Sequence, residues 1–308
     1  LEKKVGNLYW SGDARMRYTA SSSDEVADKY DGRIRLNVKG QVNDATYVQG
    51  QMVTQMMFKD ADSAKPKTDG QTFMSQVYVN HNFGKNVAVR LGRQPIAFGN
   101  QGGWLYNALE GYDGAQVSYN NAKLSLTTGF GQLNDGWKDT DVYFAKGAYD
   151  FGFAKLNADY IADKDSEAQY RDEIYGVGLN IPVQKFNVFG EYWKNTTIGD
   201  YDTAWNAGLS YGKADWKKAG TWDLSVAYND VDYGVYFGGG FWHNDMLKNF
   251  NTNYLGAYNL TFWTAIANVT LQKNVQLHAE YAFAADAEKS NNGADPDDSW
   301  SVSLNYKF

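Results

Sequence analysis

Hydrophobicity alternates with a period of two along most of the chain, and this alternation restricts the possible folds more than any other feature. The final ten residues show it most clearly, because every second position there is apolar or aromatic: Trp300, Val302, Leu304, Tyr306 and Phe308. Successive side chains of a β-strand point to opposite faces, so the pattern predicts strands with one apolar and one polar face. Helical periodicity is hard to find, and the chain is therefore predicted to be all-β.

Sixteen segments carry this alternation and are predicted to be antiparallel strands. A single all-β barrel can reach the length of this chain. We therefore assign residues 8–308 to one barrel domain and residues 1–7 to the end of a preceding linker or stalk. The predicted strands cover approximately residues 8–18, 32–42, 45–58, 72–83, 86–94, 112–119, 123–131, 141–149, 153–162, 173–181, 185–194, 204–211, 222–231, 259–271, 275–283 and 299–308.

The connections between these segments alternate in length. Short ones with turn-forming residues, such as NDA, GKN and NNA, follow every second strand, and long polar ones such as residues 59–71 and 95–111 lie between. Residues 212–221 are the exception, because they are long where a short turn is due. A soluble sandwich has no reason to sort its loops by length, whereas a bacterial outer-membrane barrel has short periplasmic turns and longer external loops.

The composition is compatible with such a barrel and argues against several other classes. The chain has 308 residues, a formal net charge of -7, no cysteine and a mean hydropathy of -0.56. The negative charge argues against a nucleic-acid partner, and the lack of cysteine excludes disulfides and thiolate metal sites. A transmembrane strand needs only about 10 residues, of which alternate ones are apolar, so a low mean hydropathy does not exclude membrane insertion. LEKKVGN lacks the apolar core of a signal peptide, and we expect a processed form or a fragment.

The two faces of the predicted strands differ in chemistry. Outward positions near the strand ends are often aromatic, as is favoured at membrane interfaces. The opposite face carries charged and amide side chains, which need no buried partner if the barrel interior holds water. The alternative is a large soluble antiparallel protein with one wet face. Representative outward residues are Trp10, Tyr119, Tyr160, Phe186, Tyr192, Tyr211, Trp222, Tyr228, Tyr281 and Phe283.

These features together resemble the sixteen-stranded general porins of diderm bacteria. The resemblance rests on the closing strand, on VRLGRQ at residues 89–94 before the long third connection, and on DGAQVSY at residues 113–119 after it. The opening LEKKVGNLYWSGDARMRY resembles the junction between tether and barrel in OmpM-type porins, which carry an N-terminal S-layer-homology domain and a coiled-coil stalk. This resemblance implies a possible cell-wall tether through an N-terminal domain that is not in the sequence.

The porin resemblance also implies an oligomeric state, a constriction and an assembly signal. It implies a homotrimer in the outer membrane, in contact with its lipid, whose third loop folds into the pore. The aromatic end of the last strand resembles the signal that such barrels present to their insertion machinery. The implied constriction-loop residues are Asn100, Trp104, Tyr106, Glu110 and Asp113, and the implied signal residues are Trp300, Tyr306 and Phe308.

A group of basic residues is the main candidate for pore function. We interpret it as a cationic wall of the constriction that faces Glu110 and Asp113 and selects ions. The alternative is that these residues only hydrate the lumen wall. Arg93 has the opposite parity to Arg90 along the strand, so its direction is left open. The group consists of Arg15, Arg17, Arg33, Arg35, Lys39, Arg90 and Arg93.

Trp104 and Tyr106 have two readings. They could stack on sugars, as in a sugar-selective porin, or anchor the loop against the barrel wall, which we favour. An adhesion or tether barrel, using the long connection 232–254, is a further alternative. A general diffusion porin, a sugar-selective porin and an adhesion or tether barrel are all compatible with the same fold.

Catalysis and metal binding have weaker support in the sequence. His81, His243 and His278 have no nearby serine motif that would indicate a nucleophile and its base. Alternating acids at 163–167 and at 295–298 could bind calcium, but neither stretch matches a known calcium loop. We therefore predict a non-enzymatic channel without cofactor or metal, which lets small hydrophilic solutes and ions diffuse passively across an outer membrane.

Overall fold

The protein is a closed antiparallel β-barrel in a computed structural model. The structure describes residues 3–24, 27–59, 70–100, 103–107, 111–134, 140–164, 172–235, 257–289 and 294–308. Within these ranges the strands are β1 Lys3–Val5, β2 Leu8–Ser21, β3 Lys29–Asn43, β4 Thr46–Lys59, β5 Gln71–Phe83, β6 Val87–Gln94, β7 Tyr112–Asn120, β8 Leu124–Leu133, β9 Asp141–Asp150, β10 Lys155–Asp163, β11 Glu173–Val183, β12 Phe186–Asn195, β13 Thr203–Gly212, β14 Trp222–Asp232, β15 Asn259–Gln272, β16 Val275–Glu288 and β17 Ser299–Lys307.

The sixteen long strands β2 to β17 confirm the predicted barrel. Each pairs with its neighbours in the chain, and β17 pairs with β2 from Ser299 opposite Ser21 to Lys307 opposite Asp13. The short strand β1 adds only a hairpin with the start of β2. A single 3-10 turn, Tyr233–Val235, is the only helical element in the described ranges. No helix among these residues is long and apolar enough to cross a bilayer.

Closure of the barrel depends on a close contact at Gly12. The backbone N–H groups of Gly12 and Phe308 each donate to the other residue's carbonyl, at 2.8 and 3.0 Å. A Cβ atom at Gly12 would lie 2.4 Å from the Phe308 ring and 2.8 Å from the carbonyl oxygen of Arg35. The ring therefore packs directly over a backbone position that has no room for a side chain.

The two ends of the barrel differ as the sequence predicts. At one end, called here the short-turn end, most hairpins close within four residues or fewer, and residues 213–221 form the exception. At the other, the long-loop end, the connections include residues 95–111 and 233–258. The outward face is apolar along most of the sheet, and Val77, Leu91 and Val117 are among its exposed side chains.

The inward face is only partly polar, which corrects the prediction of a uniformly polar lumen. Towards the long-loop end, inward residues of β7 to β16 are apolar and buried, including Phe144, Ile161, Trp193 and Phe262. They pack against Phe98, Trp104 and Tyr106, among other residues of the third loop, and form one core inside the barrel. This core exists because the loop covers side chains that would otherwise face water.

Candidate functional site

The third loop, residues 95–111, leaves β6 and folds into the barrel. Its backbone binds inward-facing charged side chains of distant strands. Gly99 N–H donates to Asp159 of β10 at 2.9 Å, and the Lys146 ammonium of β9 donates to the carbonyl of Ala97. The predicted insertion of this loop is thus confirmed, and the loop is fixed to the wall through its own backbone.

Asn100 is the most tightly held residue of the loop. Its backbone N–H lies 3.0 and 3.1 Å from the two carboxylate oxygens of Glu191. Its side-chain amide donates to the carbonyl of Gly190 and accepts from Asn180, both at 3.0 Å. The backbone and the side chain of one loop residue therefore bind two neighbouring strands, β11 and β12.

Glu191 is the centre of this attachment. Only 4% of the residue is exposed, and its carboxylate also accepts from Trp193 Nε1 at 2.9 Å and Asn206 Nδ2 at 3.3 Å. A buried carboxylate without an ion-pair partner depends on such N–H donors. The loop supplies one of them, so the acid and the loop hold each other in place.

The aromatic residues of the loop serve as anchors. Trp104 is 5% exposed and donates its indole N–H to Asn229 of β14 at 3.0 Å, while Tyr106 is fully buried. The Phe98 ring packs edge-on against Tyr106 and Phe144, with centroids 5.9 Å apart in both pairs. Neither Trp104 nor Tyr106 presents the open ring face that sugar stacking needs, so their geometry supports the anchoring role.

A ladder of arginines and aspartates lines the opposite side of the lumen. Arg15 and Arg33 are directly opposite each other on β2 and β3. Arg35 donates to Asp13 at 2.8 Å, and Arg33 approaches the same carboxylate at 3.4 Å. The other carboxylate, Asp31, is approached by Arg17 at 2.9 Å and by Arg15 at 3.6 Å. Each carboxylate is therefore shared by two arginines.

The ladder keeps a positive charge despite these pairs. Four arginines face two aspartates, which leaves a formal charge of two on this part of the wall. Sequence reasoning found the arginines but missed Asp13 and Asp31. The signal was available, because Asp13 has the parity of Arg15 and Arg17, and Asp31 has that of Arg33 and Arg35.

Lys39 and Arg90 lie on the inward face, farther from the ladder. The Lys39 ammonium lies 4.4 Å from the Tyr47 ring centroid, and Arg90 lies 5.2 Å from that of Tyr78. Arg90 also donates to Asn80 at 3.0 Å. Both cations are thus held against aromatic rings beside the ladder rather than within it.

Arg93 and Asp113 do not face the lumen, which corrects their assignment to the constriction. Arg93 is directly opposite Val77 and Asp113, and opposed residues of antiparallel strands share a face. Since Val77 is 49% exposed on the apolar outward face, Arg93 and Asp113 lie outside as well. They form a bidentate pair with two distances of 2.7 Å. Glu110, the other acid assigned to the constriction, lies outside the described residues.

A polar cavity of about 500 Å³ lies between the third loop and the ladder side, and a separate one of about 450 Å³ lies between residues 95–100 and the wall of β7 to β11. The first cavity is lined by Trp104 of the loop and Arg15 of the ladder, with Asn206, Ser303 and Asn305 on the wall between. Amide and hydroxyl groups of this kind can replace the water around a small polar solute. The arrangement therefore provides a narrowed, hydrated passage with a positive side.

Other candidate chemistry is scattered over the barrel. No group of three or more potential metal ligands occurs in the described part of the chain. His278 bonds Asn268 and Glu280, each at 2.8 Å, and His81 bonds Thr46 at 2.8 Å on the other side of the barrel. His243, Asp165, Glu167 and the aromatic pair at 241–242 lie outside the described residues.

The residues of the predicted assembly signal lie on the outward face of the closing strand. Phe308 is 47% exposed, and Val302 between the signal residues is 38% exposed. Trp300 is directly opposite Tyr281 and Ala20, while Tyr306 is opposite Val275 and Ala14. The serines between them are buried on the inward face, as the alternation predicts.

Comparison with known proteins identifies the fold. Neither a protein-family model nor a curated protein sequence matches the chain. Among solved structures, Salmonella typhi OmpF in complex with daunomycin has a TM-score of 0.67 at 15% identity, covering 100% of both chains. A mutant Rhodopseudomonas blastica porin has a TM-score of 0.64 at 13% identity, covering 98% of this chain and 100% of the porin. OmpT of Vibrio cholerae, an outer membrane protein solved in a trimer form, has a TM-score of 0.61 at 13% identity, covering 98% and 99%. The chain therefore shares the sixteen-stranded barrel fold of bacterial porins.

Proposed function

We propose that this protein is an outer-membrane porin that lets small hydrophilic solutes and ions diffuse passively through its lumen. One observation carries the proposal: the third loop narrows a closed sixteen-stranded barrel and faces an arginine ladder across a polar cavity. Passive diffusion needs no catalytic step or cofactor. The buried loop anchors argue against a sugar slide at Trp104 and Tyr106.

The outward face supports a location in the outer membrane. A closed barrel satisfies its backbone groups internally, which is the condition for sitting in lipid. Exposed aromatic side chains such as Phe83, Phe186 and Trp222 lie near the short-turn end, and Tyr30 and Tyr233 lie near the other. In this orientation the short-turn end faces the periplasm.

The ladder gives the constriction a preference for anions. Its excess of two positive charges is matched by no acid of the described third-loop residues, 95–100 and 103–107, because none of these is charged. Glu191 and Asp159 lie beneath the loop and are 4% and 6% exposed. The loop thus covers these two acids, while Arg15 of the ladder lines the cavity.

Part of the outward face is suited to bind other copies of the chain in a homotrimer. The outward surface of β2 to β5 is rich in exposed methionine. Methionine is flexible and adapts to irregular partners, so such a surface can pack against another copy of the chain. Four of the six methionines are exposed there: Met16, Met52, Met56 and Met74.

Three finer assignments rest on the resemblance to porins: the stalk, the tether domain and the assembly signal. Residues 1–7 are the end of a linker or stalk, which would connect the barrel to an N-terminal domain that binds the cell wall. The terminal residues Trp300, Tyr306 and Phe308 form the assembly signal. Their outward position leaves them accessible before the barrel closes.

Conductance in a planar bilayer with a salt gradient tests the proposed function. We expect ohmic steps in groups of three for a trimer, and a reversal potential with the sign of anion preference. Insertion without conductance would refute the porin proposal. A reversal potential of cation sign would refute only the role of the ladder.

A further inference from the structure

The connection 213–221 is the exception among the short-turn hairpins, and its structure gives it a role. We propose that this segment, called here the shelf, forms a second selectivity element at the short-turn mouth through Trp216, Lys213 and Lys307. The inference rests on the proposed channel function. It places a cationic filter in series with the third loop, and its ligands are small anionic solutes.

The shelf is held in a fixed shape by its own hydrogen bonds. The backbone N–H of Ala214 donates to Asp223 at 2.9 Å, and that of Asp215 donates to the Thr221 hydroxyl at 2.8 Å. The Asp215 carboxylate then accepts from the backbone N–H of Lys217 at 2.9 Å. Side chains that cap backbone groups in this way define a folded turn rather than a loose connection.

The shelf also reaches across the ends of neighbouring strands. Asn274, in the turn between β15 and β16, donates its backbone N–H to the carbonyl of Trp216 at 2.8 Å. The carbonyl of Asn274 in turn accepts from the backbone N–H of Lys307 on β17 at 2.9 Å. A segment that begins at β13 is thereby bound as far as the strand that closes the barrel.

Trp216 lies on the lumen side of the shelf. It lines the same cavity of about 500 Å³ as Trp104 of the third loop and Arg15 of the ladder. The Lys307 ammonium lies 4.0 Å from the Trp216 ring centroid, and Lys307 is directly opposite the inward residue Asp13. The cavity is therefore bounded by the third loop at one end and by the shelf at the other.

The charge around the shelf is positive, although the whole chain is negative. Six exposed lysines lie in or beside it, against the two aspartates Asp215 and Asp223, whose carboxylates also accept local hydrogen bonds. Lys213 also lines the cavity. A solute that crosses the cavity thus meets fixed positive charge at the shelf as well as at the ladder. The six lysines are Lys185, Lys213, Lys217, Lys218, Lys273 and Lys307.

Single-channel recording of shelf variants tests this inference. The double variant Lys213→Gln/Lys307→Gln should lower the anion-to-cation permeability ratio about threefold at 0.1 M salt, with a smaller effect at 1 M because of screening. Trp216→Ala should raise the conductance by widening the mouth. Lys123→Gln, at the exposed turn between β7 and β8, is the matched control and should behave as the wild type, because this turn is far from the shelf and does not line the cavity.

The outcomes separate this inference from the proposed function. A wild-type protein that inserts without conducting refutes the porin proposal itself. A conducting wild type whose lysine variants match Lys123→Gln, and whose Trp216→Ala conductance is unchanged, overturns the role of the shelf. Replacing residues 213–221 by Asn-Gly, the turn chemistry of a two-residue hairpin, gives a second variant that should combine both changes.

Discussion

Asn100→Ala should loosen the third loop without weakening the barrel. The substitution removes the side-chain bonds to the Gly190 carbonyl and from the Asn180 amide, both 3.0 Å long. The backbone N–H that binds Glu191 remains. The sheet also remains intact, because neither lost bond belongs to its ladder.

The magnitude follows from these two bonds. A neutral hydrogen bond contributes about 0.5–1.5 kcal/mol, so losing two lowers the free energy of loop docking by about 2 kcal/mol. The ratio of docked to undocked loop should then fall about 30-fold, since 1.4 kcal/mol corresponds to a factor of ten. The substitution creates or removes no charge, so the change in the free energy of loop docking does not include the desolvation of a charged group.

Single-channel recording measures this change as the time spent in each conductance level. The variant should fluctuate between levels far more often than the wild type, while its unfolding temperature on heated gels stays within about 2 °C. Asn195→Ala is the control, because it also removes hydrogen bonds from a buried asparagine but does not touch the third loop. Unchanged fluctuation in Asn100→Ala, or an equal increase in the control, would refute the reasoning.

Three further predictions concern charge, closure and pH. Arg35→Gln should reduce the anion preference, and Asp13→Asn should increase it. Reversal potentials of the two variants that shift in the same direction would contradict the proposed role of the ladder in ion selection. Gly12→Ala should lower the free energy of unfolding by about 1–3 kcal/mol, and the unfolding temperature with it, because the new methyl group would clash with the Phe308 ring and the Arg35 carbonyl. The same change at Gly40, where the nearest atom is 3.5 Å away, should have little effect. Burial raises the pKa of Asp172, in the connection before β11, above its ordinary value of 3.8. The folded state therefore disfavours the charged form, so Asp172→Asn should raise the unfolding temperature at neutral pH. That gain should vanish below 3.8, where the carboxyl is protonated in both states.

The sequence predicted the sheet well because each strand carries its own signal. Alternation and turn residues located all sixteen barrel strands, with most ends within three residues. The direction of single charged residues was a harder problem, as Arg93 shows. It was grouped with the lumen arginines because of its charge, although its parity is opposite to that of Arg90, and the pairing with Val77 and Asp113 shows that it faces outward.

The internal core was missed for a different physical reason. A strand in a water-filled barrel needs one apolar face, so the apolar face of each strand was assigned to lipid and its other face to water. At Val142–Phe144 and Tyr192–Trp193 both faces are apolar, because one faces outward and the other contacts the core beneath the third loop. Such short breaks in alternation, which recur at Tyr160–Ile161 and Phe262–Trp263, were the local signal of the core. Its partners are far apart in sequence, and no pattern within one strand identifies them.

The third loop has a mechanical consequence as well. Hydrogen bonds between strands fix the circumference of a barrel, but a circle and an ellipse can share one circumference. The loop leaves the wall after β6 and is bonded to Asp159, Glu191 and Asn229 on β10, β12 and β14, so it acts as an internal strut. Flattening the barrel along this direction would break buried hydrogen bonds. Lateral pressure from the bilayer is thus resisted by a loop, and the residues that narrow the lumen also keep its cross-section constant.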